Sequence, residues 1–174
     1  MKYKITFTYL LGSIIITLLP FEWWYYNVGD LVQIYDSPYE IQVTLFGESL
    51  LLTKIINLIL LAYRFYIIVL YSGYLSYLIT GKFKVSSAFF WQTILYILWP
   101  LILYVFFDYL VYDLFKYTIY YPLFIFGTET ISGKISDTTI FSITYTAYPE
   151  IIYWAALAIA LLYPFTYLEK RKGS

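Results

Sequence analysis

The sequence contains no cysteine, no histidine and a single methionine. Without cysteine there is no disulfide, no thiolate metal site and no CxxC redox pair. Without histidine the chain lacks the commonest metal ligand, the usual haem axial ligand and the usual general base at neutral pH. GxSxG, P-loop, GxGxxG and HExxH patterns are also missing. The carboxylates Glu129, Asp137 and Glu150 are the remaining material for an acid pair, and nothing in their spacing fixes a distance. A non-enzymatic protein without cofactor or metal is the expectation, and no nucleic-acid partner is expected either.

Charge is scarce as well, at 13% of residues, whereas 61% are hydrophobic and 24% aromatic. A soluble domain of 174 residues has too little interior to hide so much apolar surface, which points to an integral membrane protein and the lipid bilayer as its first partner. The 23 tyrosines, with so few thermolabile side chains, give an archaeal or thermophile-like composition.

A helix crosses a bilayer with about 20 apolar residues. Four stretches approach that length: about 5–20, 50–80, 88–114 and 149–168. They predict an all-α membrane protein, a four-transmembrane-helix bundle forming one domain over 1–174. The first stretch has a basic start at Lys2 and Lys4 but no A-x-A-like cleavage site. It continues into LLPFEWWYY, with Trp23 and Trp24 placed as interface aromatics, so a retained helix is expected rather than a signal peptide.

Charges are segregated. Lys2, Lys4, Lys82, Lys84, Lys170, Arg171 and Lys172 cluster at one set of helix ends, while the connections 21–49 and 115–148 carry most of the acids. The positive-inside rule then places both termini and the GKFK link in the cytoplasm and both long loops outside the plasma membrane. Residues 31–46, LVQIYDSPYEIQVTLF, read as two strands about a turn at Asp36-Ser37-Pro38. YTIYYPLFIF and IFSITYTAY in the second loop have strand composition around a polar, glycine-containing middle. Together the loops predict a small extracellular antiparallel sheet capping the bundle.

The run LLAYRFYIIVLYSGYLSYLIT contains one permanent cation, Arg64. A charge near a span centre costs about 2.5–3.5 kcal/mol on insertion scales, so a partner is expected. Counting about 1.5 Å per residue from the outer surface puts Arg64 roughly 15 Å deep and Asp108 roughly 8 Å deep. An intramembrane pair Arg64–Asp108 and an outer pair Lys54–Asp113 follow, with hydroxyls of Tyr63, Tyr71 or Tyr104 completing the hydrogen bonding. The pair serves as a structural lock, a contact to another subunit, or an anion site in a transport path. Ala156 and Ala160 have the small-xxx-small spacing of close helix packing, inside the monomer or along a homo-oligomer seam. Pro100 predicts a kink in the third helix. The series Tyr63, Tyr66, Tyr71, Tyr74 and Tyr77 offers a flat aromatic surface of the kind that suits a quinone or sterol.

Helices topped by an outer sheet resemble the layout of claudin-like membrane proteins. The resemblance is one of topology only, since that family's paired cysteines are absent and Trp23-Trp24 is not its W-GLW motif. The expected function is an accessory subunit of a larger membrane complex, or a cell-surface interaction or adhesion protein, with a protein partner in the membrane or at its outer surface. The alternative is a small oligomeric transporter or channel, or a quinone- or lipid-binding protein.

Overall fold

The computed structural model describes residues 3–81, 86–105, 127–136 and 139–173. Helix α1 (Lys4–Leu18) leads into strands β1 (Trp24–Val28), β2 (Val32–Ser37), β3 (Glu40–Leu45) and β4 (Glu48–Ser49). Helices α2 (Leu51–Ile79) and α3 (Ser87–Val105) follow, then strands β5 (Gly127–Ser136) and β6 (Thr139–Pro149). The chain closes with α4 (Ile151–Ala160) and α5 (Tyr163–Gly173). The strands form one six-stranded antiparallel sheet in the order β4-β3-β2-β1-β6-β5.

The expected all-α class is therefore corrected to α+β, and the four-transmembrane-helix bundle with a small cap is not the architecture. Among the described residues only Leu51–Ile79 and Ile151–Arg171 are helices long and apolar enough to cross a membrane. Helix α1 has 15 residues, and the third predicted stretch, 88–114, is described only to Val105, its remainder lying outside the described residues. The reason lies in what an apolar run becomes. The first run leaves the helical conformation at Leu19, whose ψ is 125°, and its aromatic continuation enters β1. Hydropathy registers burial and is blind to the change from a period of 3.6 to a period of 2.

The strand connections follow from local chemistry. Gly29 and Asp30 both have positive φ, and the Leu31 amide donates to the Val28 carbonyl at 2.9 Å, a primed-type turn within the three-residue connection Gly29-Asp30-Leu31 between the paired Val28 and Val32. Asn27 braces this turn by accepting the Asp30 amide at 2.9 Å. Phe46 and Gly47 repeat the device between β3 and β4. The turn between β2 and β3 falls on Pro38-Tyr39, one residue beyond its predicted centre. There the Ser37 hydroxyl accepts the amides of Tyr39 and Glu40 at 3.2 and 3.0 Å. That shift keeps Asp36 inside β2, paired with Trp24 and Ile41.

One sheet face meets the helices. Trp24, Asp36, Tyr26 and Ala147 point there and are buried. Trp23, just before β1, is buried with them and packs edge-on against Tyr96 at 4.8 Å between centroids, while Trp24 meets Tyr153 at 5.4 Å. Each tryptophan is 1% exposed, so both are core rather than an interface belt. The edge of β3 beyond the two-residue β4 is closed by α2. Asn57 accepts the Ile41 amide and donates to the Ile41 carbonyl, both at 2.8 Å, so one side-chain amide replaces a missing strand. Asn57→Leu should lower stability by about 2 kcal/mol, because it orphans two backbone groups at once. The check is thermal unfolding in detergent, with Asn57→Gln expected to recover little because its extra methylene moves the amide off the edge.

Helix α1 is central, packing on α2, α4, α5 and, through its tyrosine and threonine side chains, on α3. Gly12 permits the close approach to α4, since a Cβ there would stand 2.5 Å from the Ile159 Cδ1 methyl. Gly12→Ala is expected to cost about 1–2 kcal/mol through overpacking. Gly12→Ala with Ile159→Val should recover most of that loss in the same unfolding measurement. Ala156 and Ala160 are both buried on the inward face of α4, and Pro100 is buried in α3.

Candidate functional site

The β2–β3 turn drives one side chain down into the helices. Tyr39 is 2% exposed, and its hydroxyl is the hub of a polar cluster at the junction of sheet and helices. It lies 2.6 Å from the Tyr96 hydroxyl and 3.2 Å from Thr17 Oγ1, and it accepts from Gln92 Nε2 at 2.7 Å. Gln92 Oε1 in turn accepts from the Tyr63 hydroxyl at 2.7 Å. The residues come from α1, α2, α3 and the sheet, so every layer of the protein contributes to one network. Burial pushes the Tyr39 phenol well above its ordinary pKa, reinforced by Tyr96, and the hydroxyl is neutral at any physiological pH.

A second cluster lies about two turns further along α1. The Tyr9 hydroxyl is 3.0 Å from that of Tyr71 and 3.1 Å from Thr93 Oγ1, with Phe89 stacked on Tyr71. Ser13, buried between Tyr9 and Thr17 on the same helix face, has no hydrogen bond from its Oγ. At the end remote from the sheet, Glu169 closes the column. Its carboxylate accepts the Ile5 and Thr6 amides at 3.1 and 2.9 Å and the Thr6 hydroxyl at 2.8 Å. This is the N-terminal capping of α1 supplied from α5. Thr6, Tyr9, Ser13 and Thr17 thus form a polar stripe at helical spacing, buried along the length of α1.

Asp36 is the most anomalous group of the junction. It is 1% exposed, and neither carboxylate oxygen has a hydrogen bond. Burial raises its pKa to about 8, so it is predominantly protonated at neutral pH. The Trp99 indole N–H approaches the carboxyl and moderates that rise without reaching hydrogen-bond geometry. Trp24 Nε1, on the strand residue paired with Asp36, is likewise buried without a partner.

Arg64 does not lie free in the apolar layer. Its guanidinium sits over the Tyr39 ring at 5.7 Å and meets Glu40 Oε2 at 3.4 Å. Among the described residues, the carboxylate beside it comes from the turn of the sheet, four residues after Asp36. Asp108 and Asp113 lie outside the described residues, so the pairs Arg64–Asp108 and Lys54–Asp113 lie outside them too; Lys54 itself is exposed. Asn57, Arg64 and Tyr71 do share the inward face of α2, to the β3 edge, Glu40 and Tyr9 respectively. The tyrosine series divides: Tyr63, Tyr71 and Tyr74 turn inward, whereas Tyr66 and Tyr77 are exposed, so the series forms no single flat surface.

Sequence reasoning missed Asp36, Tyr39, Gln92 and Tyr96. Asp36-Ser37-Pro38 reads as a solvent turn, and only the alternation from Trp24 through its paired strand would have turned Asp36 inward. Gln92 and Tyr96 are four apart on α3, a signal diluted by the abundance of tyrosine. No family model matches the chain, and neither a curated protein nor a solved structure resembles it significantly.

Proposed function

We propose that this is a non-catalytic integral membrane protein of the cell surface, whose sheet stands outside the bilayer as a recognition element. It acts alone or as an accessory subunit of a larger membrane assembly. The observation that carries this reading is an inverted polarity. Thr6, Thr17, Gln92, Thr93 and Thr166 are buried among the helices, while large apolar side chains such as Leu58, Ile59, Phe65, Val69, Trp154 and Phe165 are exposed. Polar groups that satisfy one another inside and apolar groups facing outward suit hydrocarbon as the surrounding medium.

Helices α2 and α4–α5 both run away from the sheet, toward Gly81 and the Lys170-Arg171 end, and Glu169 brings the Lys4 end of α1 to the same pole. By the positive-inside rule that pole is cytoplasmic and the sheet is outside. The engagement of Arg64 by Glu40 and Tyr39 favours a structural role for the cation over a place in a transport path.

The absence of cysteine makes the test clean. Thr130→Cys in the sheet and Arg171→Cys at the opposite pole are each the sole thiol of the chain. In intact cells a membrane-impermeant maleimide should label Thr130→Cys, and label Arg171→Cys only after lysis. Equal labelling of both before lysis, or recovery of the unlabelled chain in the soluble fraction, would overturn the reading. Native mass spectrometry of the gently extracted protein then separates a lone recognition protein from a subunit.

A further inference from the structure

The sheet face turned away from the helices has a composition unlike the rest of the protein. Register places its residues in rows across the strands. One row runs Tyr148, Tyr25, Tyr35, Gln42. The next crosses all six strands as Thr128, Thr146, Asn27, Gln33, Thr44, Ser49. Two shorter rows continue on the β5–β6 hairpin, Thr130 with Thr144 and Ser132 with Ser142. None of these side chains is buried, and Tyr148 is 44% exposed.

No charged side chain occurs in these four rows. They hold hydroxyls, carboxamides and a platform in which the Tyr25 and Tyr35 rings lie 4.8 Å apart at 34°. The Tyr148 hydroxyl is 2.8 Å from Thr128 Oγ1, tying the platform to the hydroxyl rows. Charges stand instead at the margins, mostly acidic: Glu22 before β1, Asp30 in a turn, Glu40 at the start of β3, Glu48 on the edge strand and Glu150 after β6, all exposed, with Lys134 at the next register position of β5. A neutral field with an acidic rim repels polyanions and offers a polycation no anchor at its centre. Beyond its tyrosines the four rows hold no apolar side chain of the kind that fills a protein interface core.

We infer that this face binds a neutral glycan chain lying across the strands. Tyrosine rings stack on the C–H faces of pyranoses, and carboxamides and hydroxyls, each both donor and acceptor, match sugar hydroxyls in either sense. Adjacent strands are about 4.8 Å apart, so the six-strand row spans roughly 24 Å and presents one polar group per step, a repeat close to the length of one pyranose residue. Isolated contacts of this kind are weak in water, and binding strengthens with the number of sugars engaged.

The test uses the full chain in lipid nanodiscs, titrated with maltohexaose, cellohexaose, mannohexaose and chitohexaose, with heparin as the charged control. At least one neutral hexasaccharide should bind saturably, with an affinity that changes less than twofold between 50 and 500 mM salt. Tyr25→Ala/Tyr35→Ala should weaken it at least tenfold, and Tyr25→Phe/Tyr35→Phe should not. Gln33→Ala/Thr44→Ala, which leaves the tyrosine platform in place, should weaken it at least threefold and decides the matter should the first variant not fold. Absence of binding to all four neutral sugars at millimolar concentration, binding of heparin alone, or unchanged affinity in the folded variants would overturn the inference. The membrane orientation is tested separately by thiol labelling and stands or falls without it.

Discussion

Replacing Asp36 by Asn should stabilise the protein at neutral and mildly alkaline pH, by about 2–4 kcal/mol. The wild-type carboxyl has a pKa of about 8 in the fold against an ordinary value of 3.8, because burial disfavours its charged form. The sign follows directly. Between about pH 4 and pH 8 the folded state holds a proton that the unfolded state has released, so stability falls as pH rises through that window. Below about pH 4 both states are protonated and the penalty vanishes. Above about pH 8 both are ionised and it is complete. At pH 7 the gap of roughly three pH units between ambient pH and the ordinary pKa corresponds to about 4 kcal/mol as an upper figure. Asn keeps the shape and cannot ionise, although its amide inherits the same unsatisfied surroundings. Thermal unfolding in detergent at pH 5 and pH 8 measures the effect. The wild type should be the less stable at pH 8, and Asp36→Asn should be flat across the two. Equal wild-type stability at both values would show that the carboxyl is solvated or paired, contrary to its burial.

Two orphan indole N–H groups, on Trp24 and Trp99, accompany that acid. Three unsatisfied polar side chains at one junction break the rule that buried polar atoms find partners, and such violations mark places where folding stability is not the only constraint. The sheet and the helices meet there, and β1 and β2 link the junction to the outer face through alternate residues: Trp24 and Asp36 point inward, Tyr25 and Tyr35 outward.

Much of the helical part is legible in the sequence because it rests on length and period. The predicted stretch at 50–80 is the helix Leu51–Ile79, and the aromatic continuation WWYYNV signals a change of environment after the first helix. What hydropathy alone conceals is the share of apolar residues that line a sheet rather than a lipid-facing helix. Trp23 and Trp24 illustrate this: beside Pro20 they look like an interface belt, yet pairing with β2 and β6 turns Trp24 to the core and packing on Tyr96 takes Trp23 there. The buried network is harder still. Tyr39 lies 53 residues from Gln92 and 57 from Tyr96, and no local pattern encodes a contact created when a hairpin tip enters a helix bundle. Arg64 is recognisable as needing a partner, and the acid beside it among the described residues, Glu40, is carried above α2 by the turn at Pro38-Tyr39, while Asp108 lies outside those residues.

Tyr39 is where this long-range coupling is most concentrated, and Tyr39→Ala should be the most damaging single change at the junction. Truncating a fully buried aromatic costs about 3–5 kcal/mol, and here the loss extends beyond the cavity. The Gln92 carboxamide and Tyr96 hydroxyl lose their common partner, and the Arg64 guanidinium loses the ring beneath it. Tyr39→Phe separates the terms by keeping the ring and removing only the hydroxyl. It should cost about 1–3 kcal/mol, the penalty of leaving buried partners unsatisfied. In a Gln92→Leu background that cost should shrink, because one of the orphaned groups is already gone. The same variants should differ in where they open the protein. Loss of the ring frees the β2–β3 hairpin from the helices, so limited proteolysis of Tyr39→Ala should cut first between Pro38 and Ile41, whereas Tyr39→Phe should stay resistant there. Preferential cleavage elsewhere, with that turn intact, would mean that the sheet is fastened to the helices by the Trp23–Trp24 packing alone and that the hydroxyl hub is incidental to it.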